Sequence, residues 1–327
     1  MTLPTTMQAV RFHEHGGAEV LHFEEAPAPP CGPNDALIRV RACALNHLDI
    51  WTRTGLPGAK LPLPHILGAD VAGEVAAVGA AVRHLSEGLE CFVHPGIPGG
   101  PTAERLRGDD NVAADYSVLG SLHDGGYAHF VRVPADNVLA KPANLSWEET
   151  AAFPLTFLTA WHMLGARRAG LQSGETVLVM GANSGVGVAA IQFAKARGCR
   201  VIATAGNAAK AAYELTGGAG VDVVVEHVGP AVFEQCVKAL KRGGRLVTCG
   251  ATSGPEITLN LRFIFARHLT IYGSYMGGIG ETLQYLPLVE RGLVRPVVDK
   301  VYPLAQAADA QRRMEASEHM GKIVLMP

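Results

Sequence analysis

The residues best placed to do chemistry sit in Gly181-Ala-Asn-Ser-Gly-Val-Gly187. Gly181, Gly185 and Gly187 leave that turn without Cβ atoms, so its backbone can come close to a pyrophosphate. Thr176–Met180, just before it, is a short apolar run rich in β-branched residues, as a buried parallel strand requires. A helix is expected from about Val188 to Arg197, with its positive end toward the phosphates, and Val201–Ala205 as the second strand of a βαβ unit. The spacing is not a strict G-x-G-x-x-G; the signal lies in the strand–turn–helix–strand context. That context predicts a dinucleotide ligand.

A second set of reactive residue types lies nearer the N-terminus. Cys43, His47, His65 and Asp70 could between them hold a metal, but His65 stands in a Pro-His-Ile-Leu-Gly turn and Cys43 ends a buried strand, so the structural reading is the stronger. Asn46 is a favoured N-cap for the helix that follows, a role compatible with a place in a cleft. Of the other histidines only His227 stands apart, because it ends a parallel strand at the carboxyl edge, where ligands bind. The six cysteines (31, 43, 91, 199, 236, 249) are scattered with no C-x-x-C, which fits reduced thiols in the cytoplasm.

These residues need a scaffold, and 327 residues allow about two domains. With 48% hydrophobic and 18% charged residues the chain can bury ordinary cores. A net charge of -2 with no basic run argues against nucleic acid and anionic membranes as partners. No apolar run reaches the roughly 18–20 residues a membrane span needs, and the start lacks the pattern of a signal peptide. Residues 1–140 read as all-β, with strand candidates Met7–Phe12, Ala36–Ala42, Gly73–Val78 and Tyr127–Val133. Pro95–Asp115, rich in Gly, Pro and charge, should be an exposed lobe or long loop.

The texture changes near residue 145, where Ser146-Trp-Glu-Glu149 forms a capping box. Strand and helix patterns then alternate through Thr176–Met180, Val188–Arg197, Val201–Ala205, Val221–Glu226, Val232–Lys241, Arg245–Cys249 and Leu269–Gly273. Such alternation predicts a parallel sheet covered by helices on both faces. The expected domains are 1–140 with 280–327, and 141–279 between them.

The second strand should end at Ala205, where NAD-selective folds carry an Asp or Glu for the ribose 2′-hydroxyl. Absence of that carboxylate, with Lys210 nearby, favours NADP(H) and leaves NAD(H) open. Between Ala205 and Asp222 stand residues 206–221, 16 in all. One helix fits there, with Asn207 as cap, Ala208–Leu215 as body and Gly217–Gly218 as stop. A further strand and helix do not fit, since a parallel crossover alone needs about a dozen residues.

A β-rich domain interrupted by a dinucleotide fold resembles the medium-chain dehydrogenase/reductase superfamily. The resemblance covers nearly the whole chain and rests on Ala44-Leu-Asn46-His-Leu-Asp49, Ile66-Leu-Gly68-Ala-Asp70-Val-Ala-Gly73-Glu and Asp124-Gly-Gly-Tyr127-Ala. It continues through Leu155–Trp161, the Gly181–Gly187 turn, Gly243–Gly250 and Gly273-Ser-Tyr-Met-Gly277. It implies an α/β protein with a GroES-like β-rich catalytic domain and a Rossmann-type doubly wound parallel sheet, here shortened by about one βα unit. In the order 3-2-1-4-5-6 the missing strand is the outer one, so the core sheet survives.

The departures from the family narrow the function. At the positions matching the family's catalytic zinc ligands the chain has Asn46, Ala69 and Leu155. The positions of the four cysteines of the structural zinc lobe hold Gly99, Thr102, Arg105 and Ala113. No zinc is therefore expected, since these side chains are poor ligands or none. Leu48 replaces the hydroxyl residue of the alcohol dehydrogenase proton path.

A zinc-free member resembles the quinone oxidoreductase and enone reductase branch. The expected reaction is hydride transfer between NADP(H) and a quinone, enone or aldehyde-type carbonyl. The alternatives are a zinc-type alcohol dehydrogenase with substituted ligands, or a non-catalytic member with weakened cofactor binding. The resemblance makes the Asn46 amide the donor to the substrate oxygen and Asp49 a support for its neighbours. Cofactor contacts are implied at His47, Thr159, Gly181, Ser184, Gly185, Val186, Gly187, Thr204, Lys210, Val228, Gly229, Gly250, Ala251 and Ser274. A small-molecule substrate and a homodimer formed through the sheet edge near Leu269–Gly273 complete the expectation.

Overall fold

Strand Asp35–Ala44 is the spine of the first half of the protein, and its partners set the geometry of the site. In the computed structural model, which describes residues 3–56, 58, 60–204 and 208–327, it lies antiparallel to both Asp70–Val78 and Lys322–Met326. The sheet runs Val138–Ala140, Glu90–Val93, Asp70–Val78, Asp35–Ala44, Lys322–Met326, Val298–Pro303, and Phe130–Pro134 pairs with the other end of Asp35–Ala44. A smaller sheet places Thr6–Phe12 between His22–Pro27 and His65–Ile66. Three of the expected strands run one to three residues longer, and the fourth, expected at Tyr127–Val133, is the shorter Phe130–Pro134. Their inward residues, among them Phe12, Leu37, Ile38, Val71 and Leu325, form one buried core.

The chain divides into two units. The first comprises Met1–Leu155, Gly278–Leu286 and Pro296–Pro327; the second comprises Thr156–Gly277 and Pro287–Arg295. Residues 141–155, read from sequence as the start of the second domain, belong to the first unit. The capping-box helix Trp147–Ala151 explains this: Ala151 packs on Ala42, Ala44, Ala72 and Val324, a small-residue face of the large sheet.

The 95–115 segment carries more structure than a loop. Gly96–Ile97 pairs with Ser117–Val118, and Ala103–Leu106 forms a helical turn capped by Thr102, whose hydroxyl accepts from Arg105 N–H at 3.2 Å. Two of its empty zinc-ligand positions are joined by a hydrogen bond, Arg105 Nη1 donating to the Gly99 carbonyl at 3.3 Å.

The second unit holds a five-stranded parallel sheet in the order Arg200–Thr204, Thr176–Met180, Val221–Glu226, Leu240–Thr248, Thr270–Gly273. Between Thr204 and Val221 the described residues hold one helix, Ala208–Leu215, followed by Gly217 and Gly218 at φ +61° and +88°. Among the described residues the outer strand of the six-stranded pattern is absent, and Arg200–Thr204 stands at the end of the sheet. Ala205 and Asn207, read as the acid position and the helix cap, lie outside the described residues.

Several boundaries differ from expectation. The helix after the glycine turn spans Gly185–Ala196, starting three residues before Val188, because Ser184 caps it: its hydroxyl accepts from Gly187 N–H at 2.9 Å. Helix Pro230–Ala239 stops early and strand Leu240–Thr248 begins well before Arg245. No helix among the described residues is long and apolar enough to cross a membrane.

Candidate functional site

Strand register builds the centre of the first unit. Ala44 is paired with Asp70 on one side and with Val324 on the other. In the antiparallel pair, two residues beyond Ala44 face two residues before Val324, which brings Asn46 to Lys322. Lys322 Nζ donates to Asn46 Oδ1 at 2.6 Å and to Asp70 Oδ2 at 2.9 Å, while Asn46 Nδ2 donates to the same Asp70 oxygen at 2.9 Å. Asp70 Oδ1 accepts from the Leu155 N–H at 2.7 Å. All three side chains are buried, with Lys322 3%, Asp70 0% and Asn46 6% exposed. Asn46 stands at the helix N-cap, but its amide is turned to this cluster.

Asp49 holds the start of helix His47–Thr54 in place. Its Oδ2 accepts from Asn46 N–H at 2.7 Å and from the Tyr127 hydroxyl at 3.0 Å, and its Oδ1 accepts from Gly68 N–H at 3.2 Å. Burial pushes the Asp49 carboxyl up to about 6, against the pull of these donors and of the Lys322 charge. Gly68 has φ +106°, and a Cβ there would stand 2.6 Å from the Tyr127 ring and 2.7 Å from Cys43 Sγ. Only glycine fits. The Tyr127 phenol, driven well above its ordinary pKa by burial, remains a donor.

The metal-forming residue types do not converge. His47 is half-buried, its ring 6.2 Å from Trp51 and 6.3 Å from His319. His65 instead faces the Gly120 carbonyl and Asp124, and burial of Cys43 raises its thiol well above the usual range. Among the described residues no three His, Cys, Asp or Glu side chains come together as a metal site. Asn46, Ala69 and Leu155 offer neither thiolate nor imidazole where the family's catalytic zinc would need them.

His47 lies in the first unit; the other expected cofactor residues lie in the second, most of them at or just after the carboxyl ends of its strands, with Thr159 on helix Pro154–Leu164 and Lys210 on helix Ala208–Leu215. Gly181 has φ +53°, and a Cβ on Gly187 would lie 2.3 Å from the Gly181 carbonyl oxygen, so the turn closes only with glycine. Gly185 and Val186 open the helix, and their N–H groups lack intrahelical acceptors, as an anion requires. His227 Nε2 lies 2.8 Å from Ser184 Oγ, and burial keeps that imidazole neutral by lowering its pKa. Glu226, fully buried, accepts from the N–H groups of Val228 and Gly229 at 2.5 Å each and from Thr248 Oγ1 at 2.8 Å, fixing the loop after its strand. Gly250 and Ala251 follow the next strand, and a Cβ on Gly250 would meet the His227 carbonyl at 2.8 Å. Thr204 ends the edge strand, and Lys210 is exposed, with Glu214 at 3.7 Å.

The hydroxyls of Thr159 and Ser274 are buried with no hydrogen-bond partner. An orphaned buried hydroxyl is costly unless a ligand completes it, and both positions were expected to meet the cofactor. The cradle, the helix N-terminus and these two hydroxyls fit a dinucleotide. Sequence reasoning missed Lys322 and Glu226. The signal for Lys322 was present: a lone cation opening the apolar strand Lys322–Met326 needs a buried partner.

Residues 32–143 match the family described as alcohol dehydrogenase GroES-like domain, and residues 200–325 that described as zinc-binding dehydrogenase. The quinone oxidoreductase of Mus musculus is 30% identical, over 98% of this chain and 98% of its own length. A crystal structure described as an NAD-dependent alcohol dehydrogenase is 44% identical with a TM-score of 0.95, over 98% of this chain and 100% of that one. The 2-octenoyl-CoA carboxylase reductase CinF, solved with NADP and 2-octenoyl-CoA, is 27% identical with a TM-score of 0.91, over 99% of this chain and 88% of that one. With its GroES-like unit, its shortened Rossmann sheet and these relatives, the chain belongs to the medium-chain dehydrogenase/reductase superfamily and is an NAD(P)H-dependent oxidoreductase.

Proposed function

We propose that this enzyme reduces a quinone, an enone or an aldehyde-type carbonyl with NADP(H), without zinc. The observation that carries this reading is the buried Asn46–Asp70–Lys322 cluster, in which Asn46 stands at one ligand position of the family's catalytic metal and Asp70 bonds to the backbone of another, Leu155. Such a reaction needs a donor for the negative charge that develops on the carbonyl oxygen. The Asn46 amide has two Nδ2 hydrogens, and one is committed to Asp70. The second is the donor we assign to the substrate oxygen. The nicotinamide supplies the hydride when bound; Thr159, Ser274 and the Gly181–Gly187 turn would hold it. Solvent or a nearby group supplies the proton.

NADP(H) is favoured over NAD(H) by the lack of an acid at Ala205, and CinF is a relative solved with NADP. A cytoplasmic location and a homodimer through the Thr270–Gly273 edge belong to the same reading. The test is a titration with NADPH and NADH, followed by assays with 1,4-benzoquinone, 2-cyclohexen-1-one and a short-chain aldehyde. NADPH-dependent reduction that survives chelation supports the proposal; stoichiometric zinc with activity lost on its removal overturns it. Asn46→Ala should lower kcat/KM about 100-fold while leaving NADPH affinity unchanged.

A further inference from the structure

Lys322 brings a full positive charge to the end of a buried strand, where its ammonium has two partners: the carboxylate of Asp70 and the carbonyl oxygen of the Asn46 side chain. We infer that Lys322 is a positioning residue for the reaction: it locks the Asn46 amide in one orientation, with Nδ2 as the only group left to face a substrate oxygen. The inference rests on the proposed role of Asn46 and goes a step beyond it.

A side-chain amide is nearly symmetric in shape. An asparagine can turn its terminal group over and exchange oxygen for nitrogen at little steric cost, so its use as a donor depends on what its neighbours forbid. Here Lys322 can only donate, and it stands 2.6 Å from Oδ1. Asp70, as a carboxylate, can only accept, and it stands 2.9 Å from Nδ2. Reversing the amide would set N–H against ammonium and oxygen against carboxylate, two repulsive contacts in a buried site. Lys322 also polarises the amide by drawing charge toward Oδ1, which makes the free Nδ2 hydrogen a better donor.

The same pair ties the chain together where the family's zinc would. Asp70 gathers donors from Asn46 and from the Leu155 N–H, two of the three ligand positions, and it directly follows Ala69, the third. A buried Lys–Asp pair thus links segments that a metal would otherwise join, and fixes the group that replaces the metal as electrophile.

The test is a double-mutant cycle on NADPH-dependent reduction of 2-cyclohexen-1-one, with crystal structures of the same variants. Lys322→Gln should lower kcat at least tenfold with KM for NADPH unchanged, and Lys322→Arg should restore part of it. Combined with Asn46→Ala, Lys322→Gln should cost little more than Asn46→Ala alone, because it acts through that amide. Additive losses would overturn the inference. To avoid leaving Asp70 as a lone buried charge, the neutral pair Asp70→Asn/Lys322→Gln is made alongside.

The crystal structures give an answer that does not depend on turnover. At a resolution that separates nitrogen from oxygen, Asn46 should be displaced or divided in Lys322→Gln, where the Asp70 carboxylate still holds Nδ2, and reversed or divided in the neutral pair. An Asn46 that keeps its place and hydrogen bonds in both would sink the inference. A wild-type protein inactive on every carbonyl tested would instead count against the proposed reaction, with the Asn46 conformer still deciding the role of Lys322.

Discussion

Asp49 accepts from three donors, yet burial, with the charge of nearby Asp70 adding to it, raises the carboxyl from 3.8 to about 6. A carboxyl whose folded pKa exceeds its unfolded one binds the proton more tightly when native. Between about pH 4 and 6 the unfolded chain has lost a proton that the folded protein keeps, so stability falls as pH rises through that window, by about 3 kcal/mol in all. His94 pulls the other way: buried and neutral, with its pKa lowered to about 3, it contributes stability above pH 6.5 that is lost on acidification. The raw pH curve mixes the two, and the comparison with Asp49→Asn isolates one. The stability of wild type minus that of the variant, from urea unfolding, should decline by up to about 3 kcal/mol between pH 4 and 6.5. A difference that stays flat or rises would refute the assignment. The orphaned hydroxyls make an independent prediction at the same scale. Thr159→Val removes an unsatisfied group at nearly constant shape, so the cofactor-free protein should melt no lower than wild type, while the NADPH dissociation constant rises about tenfold. A variant that loses stability and keeps affinity would show that Thr159 serves only the fold.

At the level of elements, the informative one is the short crossover after Thr204. Helix Ala208–Leu215 returns the chain directly to Val221–Glu226, and Arg200–Thr204 is left as a sheet edge. The segment missing there would border the adenosine end of a bound dinucleotide, whereas the pyrophosphate turn and the Thr159 and Ser274 hydroxyls are intact. NADPH should therefore bind with a dissociation constant above about 10 μM, and reduced nicotinamide mononucleotide should lose little affinity relative to it. Low-micromolar NADPH binding by calorimetry would contradict this. The short crossover was legible in the sequence because it is a matter of length: 16 residues cannot hold a strand and two helices. The glycine turn was legible because its backbone demands glycine at fixed places. Helix starts were less so, since Ser184 begins its helix by a side-chain bond that no periodicity announces. The Asn46–Asp70–Lys322 cluster was hidden for a different reason. It joins residues 276 positions apart through strand register, and register becomes visible only once the strands are paired.

For the whole molecule, we propose that the end of the Rossmann sheet at Thr270–Gly273 is the edge through which two copies pair. An edge strand presents unpaired N–H and C=O groups, and unless it is covered it invites another chain. Beside it the protein displays large apolar side chains, with Leu261 70%, Phe265 69% and Tyr275 52% exposed. Charge does not guard this edge, since only Arg262, Arg267 and His268 stand between Leu261 and Thr270. A second copy related by a two-fold axis would pair this strand with its own image and cover the same apolar residues on both sides. The expected species is thus a dimer of the 34.4 kDa chain, seen by size exclusion with light scattering. Leu261→Asp/Phe265→Asp should give a monomer with wild-type circular dichroism and NADPH affinity, because both side chains point to solvent within one chain and neither is among the expected cofactor contacts. A wild-type monomer at the concentrations of the assay, or a dimer that persists in this variant, would mean that the edge is covered in some other way.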